Sequence, residues 1–155
     1  MEWLKNSLAY SKATFKIIAV GNQVLNPVDK YETMQSYSYE YRELINFITA
    51  QKINGVVFFS GDKHHSEIIK INQPELYSLY DITISPYTSG ISWVSGEDKN
   101  NIFRVKGTLV EEQNFAKITI SGVKGNRMMG IEFIGTKGEK LASMQINEND
   151  LKVSR

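Results

Sequence analysis

Val56-Val57-Phe58-Phe59-Ser60-Gly61-Asp62-Lys63-His64-His65 is the stretch on which the reading of this chain turns. Its first half is dense in β-branched and aromatic residues and runs into a glycine, the pattern of a strand buried on both faces that stops at a turn. Upstream, Tyr41, Leu44, Ile45 and Ile48 recur at i, i+3, i+4 and i+7, which predicts a helix. Ser38 is its expected N-cap, Glu40 sits near the positive end of its dipole, and Asn54-Gly55 closes it. A turn-rich loop over 26–34 precedes the helix. Before that loop, Phe15-Lys16-Ile17-Ile18-Ala19-Val20 reads as another buried strand, ending at Gly21. Trp3, Leu4 and Leu8 predict a short helix over 2–10. Strand, helix and strand make one β-α-β unit, with parallel strands and a right-handed crossover.

The pattern changes after residue 66. Ile68, Ile69 and Ile71, then residues 80–84, predict short strands separated by a turn at Gln73-Pro74, and 85–96 is irregular. Further strands are expected at 102–110, 115–121, 128–134 and 141–146, with hairpin turns at 122–125 and 135–138. The expected fold class is therefore α/β: a β-α-β unit followed by a mostly antiparallel, β-rich half, in a single domain over residues 1–155. No internal repeat or low-complexity segment interrupts it.

With 155 residues, 41% hydrophobic and 23% charged, the chain is expected to be a soluble globular protein with one sizeable core. Its 18 basic and 17 acidic residues are scattered and nearly balanced. That disfavours nucleic acid as a partner and a polybasic membrane patch. The absence of cysteine removes disulfides, thiolate metal sites and cysteine nucleophiles. No stretch reaches the roughly 20 apolar residues of a membrane span, and the N-terminus lacks a signal-peptide pattern. The compartment stays open, export of a longer parent included.

In extended backbone, residues two apart share a face, so Asp62 and His64 are expected on one side and Lys63 and His65 on the other. A carboxylate beside an imidazole at the C-terminal end of a buried strand is half of a metal site, placed where open α/β sheets bind ligands. The competing reading is an ordinary Gly-Asp turn followed by a satisfied surface His-His pair. Two ligands are also too few for a closed site, so the others must come from outside these residues. Elsewhere the signals are weaker. Ser36, Ser60 and Ser66 lack a Gly-x-Ser-x-Gly context. Glu111 and Glu112 are adjacent on a strand, face opposite ways, and are expected to be solvated or edge-facing. Among Tyr31, Tyr37, Tyr39 and Tyr41, the last belongs to the helix's core stripe. The loop over 85–93, with Tyr87, Thr88, Ser89 and Trp93, is either substrate-facing or an ordinary polar loop.

Several segments in order carry a family resemblance: Trp3-Leu4 with Leu8, Phe15 to Gln23, a helix, and Val56 through His64. Together they resemble the second half of PhoD-like alkaline phosphatases, in the calcineurin-like metallophosphoesterase superfamily. The similarity continues through Leu79-Tyr80-Asp81-Ile82-Thr83, Ser85-Pro86 and Gly107-Thr108-Leu109-Val110. It implies a partial metallophosphoesterase sandwich and hydrolysis of phosphate esters at a dinuclear centre of Fe, Zn, Mn or Ca type. By resemblance, Asp62 would bind one metal and His64 the other, both as catalytic residues. Asn22 and Gln23 would lie on the rim, at the place where wider relatives carry a metal-binding His, and His65 and Tyr87 would join them as substrate or rim residues. The upstream ligand motifs of the family do not occur in these residues. The resemblance therefore implies the C-terminal part of a catalytic domain, inactive alone, retaining no bound metal of its own, partnered by an N-terminal half, and inclined to self-associate as a homo-oligomer where apolar surface is left uncovered. The rival from a different class is a non-catalytic β-rich module, structural or carbohydrate-facing.

Overall fold

The computed structural model describes residues 1–28 and 31–153. Helix α1 (Glu2–Tyr10) sets Leu8 into the core, and β1 (Lys16–Ala19) follows. A short 3-10 turn over Met34–Ser36 leads into α2 (Ser38–Ala50), which buries Leu44, Ile45 and Ile48, three of the four residues of the predicted stripe. Next come β2 (Val56–Ser60), β3 (Glu67–Ile71) and β4 (Leu79–Thr83). These strands form one sheet in the order β1-β2-β4-β3. β1 and β4 both run parallel to β2, while β3 is antiparallel to β4. A second, antiparallel sheet holds β5 (Asn114–Ser121), β6 (Met128–Gly135) and β7 (Lys140–Asn147) in sequence order.

β2 and β4 are the centre of the first sheet, and their apolar residues need cover on both faces. The helices bring Leu8, Leu44, Ile45 and Ile48; the second sheet brings Met129, Ile131, Phe133 and Ile146; all join the strand residues in one apolar cluster. β6 alternates strictly, with Met129, Ile131 and Phe133 buried and Gly130, Glu132 and Ile134 half-buried. A sheet with one dry and one wet face requires that period of two.

Gly55 fixes where β2 begins. Its φ is +79°, and a Cβ there would lie 2.0 Å from the Thr14 carbonyl oxygen. The same residue's N–H donates to the Leu151 carbonyl at 2.9 Å, so three chain segments meet at it. Gly55→Ala combines a disfavoured backbone with a main-chain collision and is expected to lower stability by more than about 1 kcal/mol, read from urea unfolding.

Three sequence expectations are corrected. β1 is not covered on both faces: it is the edge of its sheet, and Ile17 and Ala19 are exposed. Residues 102–110 do not form a continuous strand. They pair at isolated points with β3 and the residue before it, Arg104 with Ile69 and Val110 with Ser66. Between these points Thr108 folds back, its Oγ donating to the Val105 carbonyl and accepting from Ile68 N–H. Ser38 is the first helical residue of α2 rather than its side-chain cap; Tyr37 holds the cap position without a side-chain bond to the helix.

Candidate metal-site cleft

β2 ends at Ser60, and Gly61 N–H donates to the Gly21 carbonyl, tying the exits of β1 and β2 together. The chain then turns instead of running on extended. Asp62 and His64 both have left-handed backbone, φ +67° and +60°. Such conformations cost of order 1–3 kcal/mol each in non-glycine residues and persist where the surroundings over-determine them. The expected division into two faces therefore does not hold. Asp62, Lys63, His64 and His65 all line one cleft of about 490 Å³, together with Tyr31, Glu32, Ser92, Trp93 and Asp98 among others.

His64 is clamped at three points. Its N–H donates to Ser85 Oγ at 2.9 Å, its carbonyl accepts from Ser92 N–H at 2.9 Å, and its Nδ1 lies 2.7 Å from the Gly90 carbonyl oxygen. A carbonyl only accepts, so Nδ1 carries the proton and Nε2 of the neutral ring keeps its lone pair. Ligating histidines are held in this way, by a carbonyl on the other nitrogen. Asp62 is exposed, and its carboxylate makes no hydrogen bond or ion pair among the described residues. An oxygen and a nitrogen donor thus stand ready for a divalent ion. Yet no group of three or more His, Asp or Glu among the described residues is placed to hold one. The donors fit half of a site.

His65 is 3% exposed, and neither ring nitrogen has a hydrogen-bond partner among the described residues. Its Nε2 lies 3.6 Å from Glu67 Oε1, too long for a full hydrogen bond but close enough for the ring to favour the charged carboxylate. Glu67 is fully buried and is the hub of the floor of the cleft. It accepts from Gln23 Nε2 at 2.6 Å and pairs with Arg104, which in turn reaches Asp98 at 2.9 Å. Burial pushes the Glu67 carboxyl up, but the His65 ring, the Arg104 guanidinium and the Gln23 amide outweigh it and bring it down to about 2. Asp81, wholly buried in β4, accepts from Ser60 Oγ and from the Val24 and Leu25 N–H groups. Burial raises its pKa, and those three bonds only partly offset it.

The other rim expectations fare differently. Gln23 is completely buried, its amide spent on Glu67, Thr83 and Asn26, so it supports the floor instead of lining the rim. Asn22 is half-buried and outside the cleft lining. Tyr87 is exposed but lines a separate cleft with Phe115 and Ile134. The 85–93 loop does reach the site, through Gly90, Ser92 and Trp93. Glu111 is not simply solvated: its Oε1 accepts from Val94 N–H at 2.7 Å and tethers the same loop. Sequence reasoning missed Glu67, Asp98 and Arg104. One signal was present, since Glu67 directly precedes Ile68-Ile69 in a buried strand, and a buried carboxylate is informative.

Parallel strands ending together at a cleft lined by Asp62 and His64 define a mixed α/β protein of two sheets with its candidate site beyond the strand C-termini. Among solved structures, that of PhoD shares this fold, with a TM-score of 0.73 and 16% identity over 99% of this chain. The chain spans 33% of the length of that PhoD chain. No protein-family model and no curated protein sequence matches it. No helix among the described residues is long and apolar enough to cross a membrane.

Proposed function

We propose that residues 1–155 are the C-terminal part of a metallophosphoesterase catalytic domain, a partial sandwich contributing half of a dinuclear centre that hydrolyses phosphate esters. The observation that carries this reading is His64: a strained backbone, three tethers, and an Nε2 left for a ligand beside a carboxylate with no partner among the described residues. Likeness of fold to PhoD supports it. Two ions of Fe, Zn, Mn or Ca type bound there would neutralise phosphoryl oxygens and activate a water for attack.

In this reading His64 supplies Nε2 to one ion and Asp62 a carboxylate oxygen to the other. His65 and Trp93 stand at the substrate side; Asn22, Gln23 and Tyr87 act at most indirectly. The remaining ligands come from an N-terminal half. The uncovered edge at β1, with Ile17 46% exposed, fits that half or a second copy of the chain as its cover.

Hydrolysis of a chromogenic phosphomonoester and diester, with metal analysis of the same sample, tests the reading. The chain alone is expected to turn over neither ester, and the complete domain to turn over at least one with two ions bound. Robust turnover by the chain alone would overturn the half-site reading. A complete domain that binds no metal and hydrolyses nothing would favour the non-catalytic β-rich module.

A further inference from the structure

A second cleft, of about 290 Å³, opens at the N-terminal ends of β1 and β2. β2 is five residues long, so at about 3.3 Å per residue this cleft lies roughly 17 Å along the sheet from the Asp62–His64 end. Lys12 reaches it from the α1–β1 connection, Lys16 from the start of β1, Lys124 from the β5–β6 hairpin and Lys152 from the C-terminal segment. Among the described residues, the one carboxylate in its lining is Glu148. Four lysine charges against one carboxylate leave a surplus of three, on a chain whose net charge is +1.

Exposed lysines usually spread apart to remain solvated; here separate segments bring four to one concavity. Lys16 is held in place, its Nζ donating to the Ala13 and Asn54 carbonyls at 2.8 and 3.0 Å. An ammonium has three N–H donors, so one remains. Burial lowers the Lys16 pKa, a cost that a bound anion would relieve. Glu148 is already engaged by Lys152 at 3.3 Å, and nearby Asp150 accepts from Asn147 N–H at 3.2 Å. Lys12 and Lys124 have no side-chain partner among the described residues.

We infer that this cleft binds a phosphate-type polyanion, independently of the proposed metal centre. The shared chemistry is a phosphate group with two or more charges, whether free or carried on a lipid headgroup. Calorimetric titration of the 155-residue chain with inorganic pyrophosphate at low ionic strength tests it. One-to-one binding is expected, weakening with added salt and falling at least about tenfold in a Lys12→Gln/Lys124→Gln variant. His64→Gln should leave it unchanged, which separates this cleft from the other. Co-sedimentation with phosphatidic acid vesicles, whose headgroup is a phosphomonoester, lost in the same double variant, would identify the headgroup as the source. The inference is overturned if neither probe binds at millimolar concentration, if binding is indifferent to the double substitution, or if only His64→Gln abolishes it.

Discussion

Replacing His64 by alanine in a complete domain is expected to remove one metal ion and hydrolysis together. Loss of a group that merely orients a ligand typically costs 10–100-fold in metal affinity; loss of the ligand itself should exceed about 100-fold. The neighbouring backbone should survive, because Ser85 Oγ and Ser92 N–H bond the His64 main chain and not its ring. Circular dichroism and unfolding midpoint should therefore stay near the parent values while metal content drops. His64→Gln is a useful second variant, since its amide can still donate to the Gly90 carbonyl. Retention of both ions and normal turnover in either variant would remove His64 from the centre. A further check is ¹⁵N NMR of the imidazole, where Nδ1 is expected to carry the proton of the neutral ring.

The second large effect is on stability. Arg104→Ala leaves the Glu67 carboxylate buried without its cation, a change that typically costs 3–5 kcal/mol. For a chain of this size each kcal/mol moves the midpoint by about 2–4 °C, so a fall of roughly 6–20 °C is expected in thermal unfolding. The pH dependence follows from the sign of the shift. Glu67 is lowered from 4.5 to about 2, so its contribution is complete above pH 4.5 and is lost as pH falls towards 2. That amounts to about 3 kcal/mol. Asp81, whose pKa is raised, works in the opposite sense over the acid range and blunts the net slope. In Arg104→Ala the Glu67 carboxyl should titrate higher, making the loss between pH 4.5 and 2 smaller than in the parent. Equal acid slopes in the two proteins would show that the guanidinium does not hold the carboxyl down. Asp98 and His65 line the cleft and flank the Glu67–Arg104 pair, so the same variant should also loosen the site.

The elements with strong periodic patterns were legible in the sequence. The α2 stripe, the apolar run of β2 and the alternation of β6 each leave one way to bury their side chains. What escaped was set by partners distant in sequence. Nothing local marks β1 as an edge strand, because edge status depends on which other strands pair with it. Residues 102–110 carry strand-forming side chains, yet Gly107 at φ +80° and the Thr108 turn break the ladder against β3. Asp62 and His64, singled out by residue type and place, both line the cleft, but their backbone is left-handed and not the extended chain expected from the sequence. The left-handed backbone of His64 is held by Ser85 and Ser92, more than 20 residues away, whereas that of Asp62 is closed locally, by Lys63 N–H donating to the Gly61 carbonyl. Gln23 shows the opposite error: its position beside the strand exit was right, while burial gives its amide to Glu67 and Thr83.

Manganese titration of this chain, followed residue by residue through paramagnetic broadening in NMR spectra, tests the half-site most directly. Weak binding is predicted, with broadening that begins at Asp62 and His64 and spreads first to Gly90 and Ser92. Broadening centred elsewhere, or none at these residues at millimolar metal, would contradict it.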